Sequence, residues 1–117
     1  MDMRNHIKIT VFVLFVVFIF TALVFYSMAA IHRGEIDYSL IADGKLPLYA
    51  KEYAIASDGG TTWYKGIGYY VYDVHSLHEE NGVEGYLVGP RIRYYLLVFG
   101  GKNRESLHFI ADTNKNP

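Results

Sequence analysis

Between Lys8 and His32 the sequence reads ITVFVLFVVFIFTALVFYSMAAI, which is residues 9–31. These 23 residues contain no charged side chain, and only two threonines and one serine interrupt the apolar run. A helix rising about 1.5 Å per residue would make the run about 35 Å long, enough to cross the roughly 30 Å hydrocarbon core of a bilayer. The run therefore predicts a membrane span from Ile9 to Ile31, with the lipid bilayer as a partner.

The flanks of the span indicate its orientation. Arg4 and Lys8 precede it together with one acidic residue, Asp2, and flanks rich in Lys and Arg stay in the cytoplasm. We therefore expect residues 1–8 to form a cytoplasmic tail. Everything after Ile31 is expected to lie outside the cytoplasm. The sequence therefore predicts a single-pass protein of the cell membrane.

A cleaved signal peptide is the alternative interpretation of the same run. Ser27-Met28-Ala29 fits the small-x-small pattern of a cleavage site, with release near Ala29/Ala30. Against cleavage, the apolar stretch is longer than the core of a typical signal peptide. Phe25 and Tyr26 also resemble the aromatic anchors of a membrane interface. An uncleaved anchor is favoured, and a secreted binding module is the alternative.

Composition separates the span from the rest of the chain. Five of the seven phenylalanines lie in the span, whereas ten of the eleven tyrosines follow it. Tyrosine is amphipathic and suits a small, half-exposed sheet. The net charge is −1, so no basic stripe points to a nucleic-acid partner. The chain has no cysteine, which removes thiol chemistry and disulfides, and no cofactor is expected.

The part after the span is expected to be mainly β. Residues 32–45 are polar and are expected to form a juxtamembrane connector with room for a short helix. Residues 46–112 then form a small extracytoplasmic domain, an antiparallel β-meander or barrel-like sheet, because strand-like runs alternate with glycine-rich turns. Residues 113–117 are expected to be a flexible tail. The alternative is an α+β fold with a short helix near residues 47–56.

The individual strands follow from alternation. Residues 63–74 are expected to form one long strand that bends at Gly66 and Gly68. Residues 75–85 are polar and predict an excursion with a turn at Asn81-Gly82, followed by a short strand over residues 86–88 and a break at Gly89-Pro90. A further strand is expected over residues 91–99. Its core face is expected to consist of Ile92, Tyr94, Leu96 and Val98.

Tyrosines and arginines suggest a binding surface. Tyr64, Tyr70 and Tyr72 are expected on one face of their strand and Trp63 on the opposite face. Arg91, Arg93 and Tyr95 are expected to share a face of another strand. Exposed tyrosines supply contact area at a low entropic cost, and arginine binds anionic groups. These five residues, Tyr64, Tyr70, Tyr72, Arg91 and Arg93, are the candidate binding surface, for an anionic polymer, phospholipid headgroups or an acidic partner such as another membrane or envelope protein. Cross-strand pairing of the arginines with Glu84 or Glu105 is the preferred interpretation of their face.

One group of side chains resembles a metal site. His75, His78 and Glu79 are ligand types that suit zinc, which raises a metal-dependent hydrolase as a less favoured function. The spacing is not that of an established metalloprotease motif, so a solvated loop is the preferred interpretation. No serine lies in a nucleophile-elbow context, and we expect no enzymatic activity.

One pattern in the sequence resembles known proteins. It consists of Asp58-Gly59-Gly60-Thr61, followed by Tyr64-Lys65-Gly66-Ile67-Gly68-Tyr69 and Val71. It resembles a pattern in uncharacterised small membrane-anchored or exported proteins of Gram-positive bacteria. The match covers residues 58–74 only. The resemblance implies a bacterial envelope location and no activity.

Overall fold

The computed structural model describes residues 3–95 and 100–112, and it consists of one long helix followed by an antiparallel sheet. The elements are α1 (Met3–Ala42), β1 (Lys51–Ile55), β2 (Thr62–Lys65), β3 (Tyr69–Glu80), β4 (Val83–Tyr94), β5 (Arg104–Glu105) and β6 (His108–Ala111). The strand order is β1-β2-β3-β4-β5, and β6 also pairs with β4. The predicted helix and antiparallel meander are confirmed. Within the described residues the sheet is open and is not closed into a barrel.

The helix continues well beyond the apolar run. Residues 32–42, the first part of the expected connector, extend α1 without a break. Every side chain over residues 3–23 is exposed, whereas burial begins near Tyr26. The buried residues recur at spacings of three and four, which places them on one face of the helix: Ser27, Ala30, Gly34, Asp37 and Ile41. Packing of that face on the sheet explains why the polar continuation stays helical.

Small residues bring helix and sheet close together. A side-chain carbon at Gly34 would lie 2.9 Å from a ring carbon of Tyr94. A side-chain carbon at Gly68, where φ is +90°, would lie 2.8 Å from Cβ of Ala30. The core lies between α1 and the sheet and includes Ile41, Ala50, Tyr69, Val71 and Ile92.

Two acidic side chains of α1 make the polar contacts of this interface. Asp37 is completely buried. It accepts hydrogen bonds from the backbone N–H groups of Leu48, Tyr49 and Ala50, at 2.7, 3.1 and 2.8 Å. These bonds hold the chain that leads from the helix into β1.

The alternative fold with a short helix near residues 47–56 is wrong, because residues 51–55 form β1 instead.

Glu35 is the second acidic anchor. It forms a salt bridge with Arg104 and accepts a 2.8 Å hydrogen bond from the Tyr94 hydroxyl. The Arg104 hydrogen bonds lower the pKa of Glu35, although partial burial raises it. Burial raises the pKa of Tyr94, and its hydrogen bond to Glu35 raises it further. The guanidinium of Arg104 also lies 4.3 Å from the ring centroid of Tyr38.

The single long strand expected over residues 63–74 is wrong. The chain turns over residues 66–68 and forms two paired strands, β2 and β3. The Gly66 N–H donates to the carbonyl of Tyr69 at 3.0 Å, and Gly68 adopts a left-handed φ of +90°, a conformation open to glycine. The two glycines therefore make a hairpin rather than a bend.

The region from residue 75 to 90 is more regular than expected. The polar stretch extends β3 and β4 as a long hairpin, with the predicted turn at Asn81-Gly82, where both φ angles are positive. Pro90 does not interrupt β4. Its carbonyl accepts the Ser106 N–H, so the Pro90 nitrogen faces the same side of β4. On that side β6 pairs with residues 85–88 and β5 with residues 91–92, and Pro90 lies in the gap between them. Proline is tolerated at such a gap in a ladder.

The core face expected for residues 91–99 is confirmed in its described part. Ile92 is completely buried and Tyr94 packs against the core. Leu96 and Val98 lie outside the described residues, as does the tail expected over residues 113–117.

Candidate functional site

The sheet face opposite the helix carries a cluster of aromatic and basic side chains, which we call the free face. Tyr70 and Tyr72 of β3 lie directly opposite Arg93 and Arg91 of β4. Four of the five predicted surface residues are therefore brought together on this face. Tyr72 is buried among its neighbours, with 5 % exposure, whereas Arg93 is exposed.

Tyr64 lies on the other side of the sheet. It pairs with Val71 in β2–β3 and packs against the core beneath the helix. The prediction for Tyr64 is wrong because the turn at residues 66–68 reverses the chain. Even-numbered residues of β2 therefore share a face with odd-numbered residues of β3. Burial raises the pKa of Tyr64, and the nearby carboxylates of Asp73 and Glu52 raise it further.

The aromatic rings of the free face enclose a cleft of about 250 Å³. Its lining includes Tyr53, Trp63, Tyr70, Tyr72, Arg93 and Tyr95, and we call it the aromatic cleft. Trp63 meets Tyr72 edge to face with ring centroids 5.2 Å apart, and Tyr95 lies 5.2 Å from Tyr70. Such contacts fix the rings against one another. The cleft is therefore a preformed surface.

Sequence reasoning missed two members of the aromatic cleft, Tyr53 and Trp63, whereas alternation placed Tyr95 on the face of Arg91 and Arg93. Tyr53 reaches the free face from a β-bulge between Glu52 and Ala54, and its ring lies 6.3 Å from Tyr70. Trp63 was assigned to the opposite face by the same parity error that misplaced Tyr64. Tyr95 follows β4 and donates a hydrogen bond from its hydroxyl to the Gly66 carbonyl at 3.1 Å. For Tyr53, the high tyrosine content was the signal in the sequence that pointed to its ring.

The cations around the aromatic cleft differ in how far they are neutralised. Arg91 pairs with Glu105 at 2.6 Å and lies 6.0 Å from the Tyr72 ring centroid. Over residues 3–95 and 100–112, the salt bridges involve neither Arg93 nor Lys65. Lys65 lies 5.8 Å from the ring centroid of Tyr53. Arg93 is thus the cation of the cleft that is available to an anionic group.

The three candidate metal ligands are not brought together. His75 and Glu79 lie on one face of β3 and His78 on the other, because strand residues three apart point in opposite directions. His75 stacks on Tyr86 with ring centroids 4.2 Å apart, and its Nδ1 lies 2.6 Å from the Gly59 carbonyl. Within the described part of the chain, no three His, Cys, Asp or Glu side chains form a group that could hold a metal ion. The arrangement gives His75 a structural role in holding the β1–β2 loop.

The exposed part of the apolar helix is the second feature of interest. One helix of the described chain, α1, is long and apolar enough to cross a membrane, and its most apolar part is not buried by the rest of the molecule.

No family model, no curated protein and no solved structure matches this chain.

Proposed function

We propose that this chain is a single-pass, membrane-anchored binding protein whose β domain lies outside the cytoplasm. In this proposal the aromatic cleft docks an acidic segment of another membrane or envelope protein and thereby regulates that partner. The observation that carries the proposal is the aromatic and basic cleft on the free face, opposite the face on which α1 packs. The resemblance of residues 58–74 to exported proteins of Gram-positive bacteria agrees with this location.

The exposed part of α1 supports an anchor. Large apolar side chains over residues 7–20 are between 42 % and 72 % exposed, and burying such a surface in lipid is strongly favourable. Arg4 and Lys8 at its start support an N-terminus in the cytoplasm.

The packing of α1 argues for an anchor over a cleaved signal. Cleavage near Ala29/Ala30 would cut the helix between Ser27 and Ala30, which are both buried against the rest of the molecule. Ala30 also contacts the β2–β3 turn at Gly68. A secreted form would therefore lose part of the surface on which its own domain packs.

The chemistry of the aromatic cleft favours an acidic partner. Arg93 is exposed and lies beside the rings of the aromatic cleft. Guanidinium groups bind carboxylates in a bidentate geometry. The rings supply apolar contact area that loses little entropy on binding. A partner segment with carboxylates between apolar residues would match both features.

The anchor is tested by fractionating cells and measuring the intact mass. We expect the full mass in the membrane fraction, and a mature N-terminus at Ala30 would overturn the anchor. Because the chain has no cysteine, Asn5→Cys and Val83→Cys each create a single reactive thiol. A membrane-impermeant maleimide should label Val83→Cys in intact cells and leave Asn5→Cys unlabelled. The reverse pattern would overturn the orientation.

The cleft is tested through Trp63, which is the single tryptophan of the chain and lies in the cleft. Poly-glutamate added to the full chain in neutral detergent should change the Trp63 emission in a saturable way, and poly-lysine should not. Arg93→Gln should weaken the binding about tenfold, as expected for a charge-assisted hydrogen bond. Lys102→Gln removes the same charge outside the cleft and should change the affinity less than about twofold. Equal losses in the two variants would contradict docking in the cleft.

A further inference from the structure

The β2–β3 turn lies at the point where α1 is expected to leave the bilayer. A side-chain carbon at Gly68 would come within 3.0 Å of the Tyr26 hydroxyl and 2.8 Å of Cβ of Ala30. Both residues belong to the last turns of the apolar run. Ile67, at the tip of the turn, is 66 % exposed. The turn therefore places an exposed isoleucine beside the end of the span.

Three cations surround the same turn. Arg33, Lys51 and Lys65 line a cleft of about 370 Å³ together with Tyr49 and Ile67. We call these three residues the juxtamembrane cations. Arg33 follows the apolar run by two residues, and its guanidinium lies 5.3 Å from the ring centroid of Tyr49.

Over the described residues, 3–95 and 100–112, no salt bridge involves the juxtamembrane cations. Lys51 and Lys65 lie directly opposite each other in β1 and β2, an arrangement of like charges that destabilises a sheet. The salt bridges in the described ranges join Arg91 to Glu105 and Arg104 to Glu35, and neither involves the juxtamembrane cations. An external anion in this cleft would relieve the repulsion.

We propose that the juxtamembrane cations bind the phosphate headgroups of anionic lipids, while Ile67 enters the interface beside them. The proposal rests on the anchoring of α1 proposed above, because the anchor brings the cleft to headgroup level. Charge complementarity identifies the occupant. An anionic leaflet presents a dense layer of phosphates, and each cation close to it strengthens binding about fivefold. The contact would fix the tilt of the β domain and hence the direction in which the aromatic cleft faces.

The test uses the full chain in lipid nanodiscs made of phosphatidylcholine alone or mixed with phosphatidylglycerol. Ile67→Cys carries an environment-sensitive fluorophore, and lipids with a nitroxide near the headgroup quench it. We expect quenching to rise severalfold with phosphatidylglycerol at low salt and to fall at high salt, because screening weakens the attraction. The same label at Val83→Cys, beside the distal turn of the β3–β4 hairpin, should show no dependence on lipid charge.

Two triple variants decide whether the cleft is responsible. Combining Arg33→Gln, Lys51→Gln and Lys65→Gln should abolish the effect of phosphatidylglycerol on the Ile67→Cys label. Combining Lys45→Gln, Lys102→Gln and Lys115→Gln removes the same charge at other positions of the sequence and should preserve it. Equal quenching in the two lipid mixtures, or equal loss in the two triple variants, would overturn the proposal.

A label within the span separates this proposal from the anchor itself. Phe18→Cys should be quenched by lipids that carry the nitroxide deep in the acyl chain, in both lipid mixtures. If Phe18→Cys is quenched but Ile67→Cys does not respond to lipid charge, the headgroup proposal fails and the anchor stands. If Phe18→Cys is not quenched, the anchor fails, and the headgroup proposal fails with it.

Discussion

The hydroxyl of Tyr69 donates a 2.6 Å hydrogen bond to Oδ2 of Asp37, in the core between the helix and the sheet. Asp37 is completely buried and accepts three further hydrogen bonds from backbone N–H groups of the chain entering β1. One carboxylate thus joins three parts of the molecule: the helix, the connecting loop and the central strand. Burial raises the pKa of Tyr69, and the bond to Asp37 raises it further, so the phenol stays protonated.

Replacing the Asp37 carboxylate should destabilise the β domain more than removing one donor. In Asp37→Asn an amide NH₂ takes the place of one oxygen and faces N–H donors, so we expect a loss of about 3 kcal/mol in the free energy of unfolding. Tyr69→Phe leaves the three backbone bonds in place and should cost about 1 kcal/mol. Urea unfolding of the full chain in neutral detergent, followed by Trp63 fluorescence, measures both. A smaller loss for Asp37→Asn than for Tyr69→Phe would contradict the central role of the carboxylate.

Close packing at Gly34 makes a second prediction. A leucine there would drive side-chain atoms into Tyr94 and Ile92, whose atoms would lie 2.9 and 3.0 Å from its Cβ. Gly34→Leu should therefore lower the free energy of unfolding by about 2 kcal/mol, despite the better helix propensity of leucine. Ala29→Leu, at an exposed position of the same helix, is the control and should be close to neutral. Equal stability of the two variants would show that the helix does not press on the sheet at this point.

Glu35 predicts an acid-sensitive interface. Its pKa is lowered from the ordinary value of 4.5 in the folded state, so its contribution is fully present above that value and is lost as the pH falls through the folded pKa. Because its side chain is 39 % exposed, we expect a contribution of no more than about 1 kcal/mol.

The measurement is the thermal midpoint of the full chain as a function of pH. The midpoint should fall as the pH drops below about 4.5, the unperturbed value for the Glu35 carboxyl. Glu35→Gln should lower the midpoint at neutral pH and make the acid decline shallower. Some decline should remain, because the pKa of Asp58 is lowered as well. Desolvation raises that pKa, but hydrogen bonds from Thr61 and from the backbone of Asp58 and Gly60 together outweigh it. An unchanged acid decline in Glu35→Gln would exclude Glu35 as a contributor.

Local patterns predicted the elements that depend on local physics. The apolar run predicted α1, and alternation with Asn81-Gly82 predicted an antiparallel hairpin, because periodicity and turn chemistry act over a few residues. The position of Tyr64 depended on whether residues 66–68 bend or turn. The turn has a hydrogen bond from Gly66 to Tyr69 and a positive φ at Gly68, and glycine permits that conformation without requiring it. The role of Asp37 depended on partners 11 to 32 residues away. Contacts of that range leave no periodic signal in a single sequence.

The β3–β4 hairpin should open locally at its distal end. Residues 69–74 of β3 all pair with β4, residues 70–73 also pair with β2, and Tyr69 and Val71 lie beneath the helix. Residues 77–80 are all exposed and lie beyond both the helix and β2. Amide hydrogen exchange should therefore be slow over residues 69–74 and faster over residues 77–80, because local opening exposes little apolar surface there.

A matched variant checks the origin of the protection that remains at this end. Phe109 of β6 contacts His78 edge to face at 5.9 Å between ring centroids, and its ring covers Gly85. Phe109→Ala should speed exchange over residues 77–80 severalfold and leave residues 69–74 unchanged. The ring contacts His78 and lies opposite Leu87, which pairs with Ser76 and not with residues 69–74. Uniform acceleration along β3 would mean that the hairpin opens as one cooperative unit and would contradict a separately mobile end.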